Sequence, residues 1–167
     1  LNNDQEDTLA VYPDMSLRIE KKWNQNATRM LEDGVENSFS FGPTLVIDGK
    51  VNPSAYKHRV NPRNPRAGLG MVEPGHYVAI VVDGRQKEYS IGLNMTDFAA
   101  LFTEYGCQVA YNMDGGLSAC MVFMGMQLNN HDALGLRDAG ESAEQRKISD
   151  GVMFGYSELV PTAEEME

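Results

Sequence analysis

The chain has 167 residues, of which 14 are Lys or Arg and 24 are Asp or Glu, so its formal net charge is −10. This length suits a single domain with one core, and 42% hydrophobic with 23% charged residues is typical of a globular protein rather than a disordered one. The negative charge argues against a general nucleic-acid-binding protein, and no apolar run is long enough to span a bilayer.

The N-terminal part of the chain predicts short strands, tight turns and one helix. Residues 8–12 and 17–20 predict strands separated by a turn at Pro13-Asp14-Met15-Ser16. Residues 24–33 predict a helix that ends at Gly34, because glycine readily adopts the left-handed conformation that closes a helix.

A proline-rich segment then follows two further extended stretches. Residues 39–41 and 44–47 predict strands, and Asp48-Gly49 is typical of a hairpin turn. The prolines between Pro53 and Pro65 exclude regular structure, so this arginine-rich segment is predicted to be an ordered loop.

The middle of the chain predicts a hairpin followed by a further strand. Residues 68–72 and 76–82 predict strands, and the run over 78–82 is apolar throughout, as in a central strand covered on both faces. Asp83-Gly84-Arg85 is predicted to turn the chain into another strand over residues 87–91.

The C-terminal part predicts a second helix and several strands. The helix is predicted to begin at Thr96, its N-cap, and to end at Gly106, with one apolar face formed by Phe98, Leu101, Phe102 and Tyr105. Strands are predicted over residues 108–111, 118–123 and 148–156, with a polar loop over 129–147. Many strands with few helices between them predict an α+β fold, with a mixed, mostly antiparallel twisted sheet and a few helices packed on it.

Residues 1–167 are predicted to form one domain, with a frayed acidic tail at 162–167. Because the sequence begins at Leu1 rather than Met, we expect a processed product or a fragment. Cys107 and Cys120 are compatible with one disulfide or with two buried thiols. No Cys/His cluster has the spacing of a zinc site.

The charge of the chain is unevenly distributed. The segment from Lys50 to Lys87 has seven basic and two acidic residues, so it carries +5 while the rest carries −15. A cationic segment in an acidic protein points to a discrete anionic ligand, and a solvated basic face is the alternative.

The strongest local motif is Asn112-Met113-Asp114-Gly115-Gly116-Leu117-Ser118, which follows an apolar strand. Glycines let backbone N–H groups approach an anion, and Asp114 can act as a base, a nucleophile or a metal ligand. The alternative is a glycine-rich turn in which Asn and Asp bond to their own backbone.

Two further motifs contain an arginine. Asn64-Pro65-Arg66, followed by Gly68 and Gly70, presents a guanidinium suited to phosphate or carboxylate, and an exposed loop arginine is the alternative. Asp83-Gly84-Arg85, with Ser90 and Gly92 beyond it, is either a second part of the site or a plain hairpin.

Taken in order, these motifs resemble the phosphodiester glycosidase family, which includes the lysosomal uncovering enzyme (N-acetylglucosamine-1-phosphodiester alpha-N-acetylglucosaminidase) and bacterial proteins associated with exopolysaccharide biosynthesis. The resemblance runs from about Thr8 to Tyr156. It adds residues 34–43, Asp48-Gly49-Lys50, Arg146 and Ser149 to the three motifs.

The resemblance implies hydrolysis of a sugar-1-phosphodiester. Asp114 is implied as nucleophile or base, Arg66 and Arg85 as phosphate ligands, and Asp83 either as an acid or as a structural residue. The implied substrate-binding residues are Asn64, Ser90, Asn112, Gly115, Gly116 and Ser118. No cofactor is implied, although Asp114 and Asn112 offer oxygen ligands for a divalent metal.

The sequence also departs from the family pattern. Leu117-Ser118-Ala119-Cys120 stands where the family has a third glycine and a Ser-Ser-Thr run, and Ala67-Gly68 replaces Thr-Ala. The family domain normally begins earlier, with strands and an Asn-Gly motif, so the chain is predicted to lack its N-terminal segment, which is a possible partner.

Two other functions remain open: a non-catalytic carbohydrate- or cell-envelope-binding domain on the same scaffold, and a divalent-metal-binding module. The expected partner is a sugar-phosphodiester or glycan, not nucleic acid. A glycan substrate of the envelope implies an extracellular or cell-surface protein.

Overall fold

Three antiparallel sheets and two α-helices form the regular structure of the part of the chain that the computed structural model describes, residues 6–130, 147–148 and 150–155. The strands are β1 (Thr8–Val11), β2 (Leu17–Glu20), β3 (Asn37–Phe39), β4 (Thr44–Ile47), β5 (Lys50–Val51), β6 (Arg66–Glu73), β7 (His76–Val82), β8 (Val109–Asn112), β9 (Val122–Phe123) and β10 (Met126–Gln127). The helices are α1 (Ala27–Glu32) and α2 (Met95–Glu104), and short 3-10 helices cover Lys22–Asn24, Ala55–Lys57 and Gly116–Ser118. The predicted α+β class is confirmed.

A five-stranded sheet of order β5-β4-β8-β6-β7 lies between a three-stranded sheet of order β2-β1-β3 and helix α2. On one face, Leu9 and Leu17 of the small sheet pack with Leu69, Met71 and Tyr111. Alternate residues of a strand point to opposite faces, so the neighbouring positions of β6 and β8 face the helix. The two sheets and the helix thus form three layers with a core on each side of the large sheet.

Helix α2 covers the second face and is the longest helix described, with ten residues. Phe98 and Phe102 are fully buried, whereas Tyr105, predicted to share their face, is 65% exposed. The N-cap is Asn94 rather than Thr96, because the Asn94 side chain accepts the Asp97 N–H at 2.8 Å. In the described ranges no helix is long and apolar enough to cross a membrane.

Strand β7 is an edge strand, not the central strand predicted from its apolar run. It pairs with β6 in the described residues and with no other strand there. Val78, Ile80 and Val82 pack against the helix side and Tyr77 against the small sheet, which explains the apolar run without a second neighbour. An apolar run indicates that the side chains of a strand are buried. It does not indicate the position of the strand in the sheet, which depends on pairing between distant residues.

Several predicted elements are shorter than expected or absent. Helix α1 begins at Ala27, capped by Asn26, although it ends before Gly34 as predicted. In place of the strand predicted over 87–91, residues 87–89 form a turn that is closed by bonds between Gln86 and Ser90. The predicted strand 118–123 is reduced to β9, because the chain first passes through a 3-10 helix.

The last predicted strand is absent from its described residues. Residues 148 and 150–155 have no regular structure and are exposed. The ring of Phe154 instead lies 5.8 Å from that of Tyr77. The predicted tail 162–167 and residues 131–146 of the predicted polar loop lie outside the described residues.

Both cysteines are free thiols. Cys107 is fully buried beneath α2, and this burial raises the pKa of its thiol. Cys120 is partly exposed.

We therefore expect the native protein to react with Ellman's reagent at one thiol per chain, because only an accessible thiolate attacks the reagent. The measurement is the stoichiometry of released thionitrobenzoate, which should rise to two thiols in denaturant. Cys120→Ser should remove the native reaction and Cys107→Ser should leave it. Equal reactivity of both native thiols would contradict this placement.

Candidate active site

The three sequence motifs meet at one end of the large sheet. Arg66 at the start of β6 pairs with Val82 at the end of β7, and Gly68 pairs with Asn112 at the end of β8. In this antiparallel arrangement, the loop before β6 and the loops after β7 and β8 leave the sheet at the same end. Register thus brings together motifs that lie up to about 50 positions apart in the sequence.

The loops contact one another at glycines. The Gly116 N–H donates to the Pro65 carbonyl at 3.0 Å, and a Cβ on Gly115 would lie 2.6 Å from that oxygen. A Cβ on Gly84 would lie 2.6 Å from Pro65 N. Any side chain at these positions would push the loops apart, so the close contact between the motifs requires glycine there.

An open cavity of about 310 Å³ lies between these loops. Its lining residues are Phe41, Arg59, Val60, Pro62, Asn64, Arg66, Arg85, Asp114, Gly115, Gly116 and Leu117. Six of the ten predicted site residues are among them. The cavity therefore joins Asp114 to both predicted arginines.

Arg66 is held by backbone carbonyls. Its Nε donates to Leu93 O at 2.9 Å, and its Nη2 donates to Val60 O at 2.6 Å, to Asn61 O at 3.3 Å and to Pro62 O. The residue is only 3% exposed, and this burial, with a smaller contribution from the charge of Arg85, lowers its pKa to about 10. Arg66 stays charged at neutral pH and fixes the loop that forms one wall of the cavity.

Arg85 is positioned by Asn64. Its Nε and Nη2 both donate to Asn64 Oδ1 at 3.0 Å, and Asn64 Nδ2 donates to Pro62 O at 3.0 Å. A Cβ on Gly116 would lie 3.1 Å from Arg85 Nη2, so the guanidinium lies against the Asp-Gly-Gly turn. Asn64 acts on Arg85 directly, a link that sequence alone does not show.

Asp114 is placed by the strand that precedes it. The Met113 N–H donates to Ala67 O at 2.9 Å, which extends the pairing of β8 with β6 up to the residue before Asp114. The turn that follows is tied to Pro65 through Gly116. The backbone on both sides of Asp114 is thus held in place, and Asp114 lines the cavity.

Two predicted residues lie in the turn after β7, outside the lining of the cavity in the described residues. The Asp83 carboxylate accepts the Asn130 N–H at 3.0 Å, the Tyr89 hydroxyl at 3.0 Å and Asn129 Nδ2 at 3.2 Å. The Ser90 hydroxyl donates to Asp83 O at 2.6 Å. These contacts favour a structural role for Asp83 over the role of a general acid.

Asn112 and Ser118 are buried rather than at the cavity lining. Asn112 Nδ2 donates to Gly42 O at 2.7 Å, which ties β8 to the cis peptide bond between Gly42 and Pro43. Ser118 lies in the 3-10 helix after the Asp-Gly-Gly turn. Gly68 and Gly70 likewise belong to packing, because they lie under the rings of α2.

Five of the lining residues have no role predicted from the sequence. They are Phe41, Arg59, Val60, Pro62 and Leu117. The signals were the aromatic-Gly-Pro run for Phe41 and the basic segment for Arg59. Phe41 is fixed by its N–H, which donates to the Tyr111 hydroxyl at 3.0 Å.

The carboxyl of Glu6 and the ring of His58 form a pair next to the loop that contains Arg59 and Val60. His58 Nε2 lies 2.6 Å from Glu6 Oε1, and both side chains are largely buried. The pair precedes Arg59 and Val60 and anchors the wall that they form. Arg146 and Ser149, which the family resemblance includes, lie outside the described residues.

The described side chains contain no cluster of three or more His, Cys, Asp or Glu with the geometry of a metal site. Asn112, one of the two oxygen ligands considered, is 1% exposed and bonded to Gly42 through its amide nitrogen.

Arg66→Lys is expected to lower the free energy of unfolding by about 3 kcal/mol, because an ammonium group cannot replace the spread of guanidinium bonds to four carbonyls. Urea unfolding measures the change. Arg63→Lys is the matched control, since Arg63 occupies the preceding Asn-Pro-Arg triplet and is exposed; it should shift stability by less than about 0.5 kcal/mol. Equal effects of the two substitutions would contradict the anchoring role of Arg66.

Comparison with known proteins identifies a family and several relatives of this chain. The phosphodiester glycosidase family model matches residues 1–155. The SPbeta prophage-derived uncharacterized protein YomE of Bacillus subtilis (strain 168) is 31% identical over 126 residues, which cover 74% of this chain and 19% of that protein.

Two solved structures share the fold. The zebrafish N-acetylglucosamine-1-phosphodiester alpha-N-acetylglucosaminidase catalytic domain, auto-inhibited by pro-peptide, superposes with a TM-score of 0.61 at 20% identity, over 75% of this chain and 44% of that chain. A hypothetical protein from Synechocystis gives a TM-score of 0.51 at 16% identity, over 74% of this chain and 30% of that one. The chain therefore spans less than half the length of each of these relatives.

Proposed function

The chain belongs to the phosphodiester glycosidase family, and from this premise we propose that it hydrolyses a sugar-1-phosphodiester in the cavity beside Asp114. The observation that supports this most strongly is the meeting of Asp114 with Arg66 and Arg85 in one cavity. A carboxylate beside fixed guanidinium groups matches a substrate that places a phosphate next to a glycosidic carbon.

The two arginines bind the phosphate and stabilise its charge. Guanidinium groups bond phosphate oxygens through paired N–H donors, and donors held in place before the reaction stabilise developing charge without reorganisation. Arg85 is held by Asn64 and lies against the turn that follows Asp114. Arg66 adds a buried charge and holds the loop opposite.

Asp114 acts in the reaction at the anomeric carbon of the sugar. It acts either as the nucleophile at the anomeric carbon or as the base that takes a proton from the attacking water. The bond between the anomeric carbon and the phosphate oxygen breaks, and its electron pair leaves with the phosphomonoester. If Asp114 is the nucleophile, water then hydrolyses its ester with the sugar, which releases the sugar and regenerates the carboxylate. If Asp114 is the base, the attacking water itself becomes the sugar hydroxyl.

No separate general acid is required for this leaving group. Ordinary glycosidases use a second carboxylic acid because an alkoxide leaves poorly. A phosphomonoester is a much better leaving group, which is consistent with the placement of the Asp83 carboxylate in the neighbouring turn. Asn64 serves the substrate through Arg85, because its side chain accepts from that guanidinium and donates to Pro62 O, and the Gly116 N–H already donates to Pro65.

A second candidate function is a non-catalytic glycan-binding domain on the same scaffold. Leu117 favours it, because this apolar side chain lines the cavity at the position where the family has a third glycine. In either case the proposed ligand is a phosphorylated glycan, and an extracellular or cell-surface location follows as part of the proposal.

Phosphorus NMR separates the two candidates. The protein is incubated with N-acetylglucosamine-1-phosphoglycerol, and the phosphodiester signal is followed with time. Conversion to the glycerol phosphomonoester signal supports the enzyme. Binding of the substrate, seen by calorimetry, without conversion supports the glycan-binding domain.

A further inference from the structure

Arg59 stands apart from the two arginines that the proposed reaction uses. It lines the same cavity but is exposed, whereas Arg66 is buried. Within the described residues Arg59 makes no hydrogen bond or ion pair, whereas Arg66 and Arg85 donate to carbonyls and to Asn64. The Arg59 guanidinium is therefore the one of the three with all of its donors available to a ligand.

The charge of the cavity exceeds what one phosphodiester requires. The described residues that line it include three guanidinium groups and one carboxylate, Asp114, so together they carry a formal +2. A single phosphodiester carries −1. One positive charge of the lining thus remains unmatched when a simple sugar-1-phosphodiester is bound.

We propose that Arg59 forms a second anion subsite, so that the preferred substrate has a further phosphate beside the scissile phosphodiester, as in a chain of repeating phosphodiesters. This inference rests on the proposed function and specifies its substrate class. Arg59 follows His58, whose ring is paired with Glu6, and it is an exposed residue of the cavity lining.

Calorimetry with two ligands tests the subsite independently of catalysis. The ligands are N-acetylglucosamine-1-phosphoglycerol and the same compound whose glycerol carries a second phosphodiester, to methanol. The protein is the full chain with Asp114→Asn, which prevents turnover. We expect the second ligand to bind about tenfold more tightly, which corresponds to about 1.4 kcal/mol.

Arg59→Ala in the same background should abolish this preference and leave the affinity for the first ligand within about twofold. Arg63→Ala is the matched control, since it removes the same charge from the same loop where Arg63 contacts Asp97 instead of the cavity. It should retain the preference. Equal binding of both ligands overturns the subsite, and so does equal loss of both ligands in Arg59→Ala, which would instead place Arg59 on the scissile phosphate.

The hydrolysis assay on wild-type protein keeps the two proposals distinct. A preference for the doubly charged ligand without hydrolysis of either compound would support the subsite and contradict the phosphodiester glycosidase activity. Hydrolysis of both compounds with equal kcat/KM and equal affinity would support the activity and overturn the subsite.

Discussion

Asp114→Asn is expected to reduce kcat for sugar-1-phosphodiester hydrolysis by at least about 10³-fold, because an amide neither attacks the anomeric carbon nor takes a proton from water. The fold should be retained, since the backbone bonds of Met113 and Gly116 hold this turn. Rates measured by phosphorus NMR and thermal unfolding of the same samples give the two quantities. Turnover close to wild type would remove Asp114 from the mechanism.

Two matched exchanges accompany this variant. Asp48→Asn is the neutral control, because Asn-Gly suits the same exposed hairpin turn, and it should leave kcat unchanged. Asp83→Asn should retain kcat within about tenfold, because the Asp83 carboxylate bonds the neighbouring turn. A loss as large as that of Asp114→Asn would instead assign Asp83 the role of general acid.

Gly92→Ala is expected to destabilise the protein through two costs. An alanine in the left-handed conformation costs about 1 kcal/mol, and the steric overlap of its Cβ adds about 3 kcal/mol. Gly92 has φ +80°, and a Cβ there would lie 2.3 Å from Asn64 O. Since this contact is with backbone, relief requires movement of the Asn64 loop. Arg85 loses its partner when that loop moves, so we also expect a strong loss of activity.

Gly125→Ala is the matched control for this substitution. Gly125 has φ +79°, and a Cβ there would have no atom within 4 Å. The two variants thus share the backbone strain and differ in the contact. Chemical denaturation should show a destabilisation of about 1 kcal/mol for Gly125→Ala, and equal destabilisation of the two would contradict the close packing of the loops.

Local sequence signals predicted much of the fold and six of the eleven described residues that line the cavity. The Asp48-Gly49 hairpin and the helix end at Gly34 were found because one or two residues determine them. The motifs around Arg66, Arg85 and Asp114 were identified by their order, and the structure places all three at one cavity.

What the sequence did not predict depends on contacts between distant residues. The edge position of β7 follows from strand order, which its apolar run does not encode. Asp83 and Arg85 are two residues apart, yet the Asp83 carboxyl bonds Asn130 and Arg85 lines the cavity. Arg59 belongs to no sequence motif. Its place at the cavity depends on the conformation of the proline-rich loop, which the sequence does not predict.

Hydrolysis in water labelled with oxygen-18 tests the proposed glycosidase reaction most directly. The protein is given N-acetylglucosamine-1-phosphoglycerol, and both products are examined by mass spectrometry before the label exchanges. Attack at the anomeric carbon predicts the label in the released sugar and an unlabelled glycerol phosphate. Label in the phosphate, or no turnover of this substrate class, would contradict a phosphodiester glycosidase acting through Asp114.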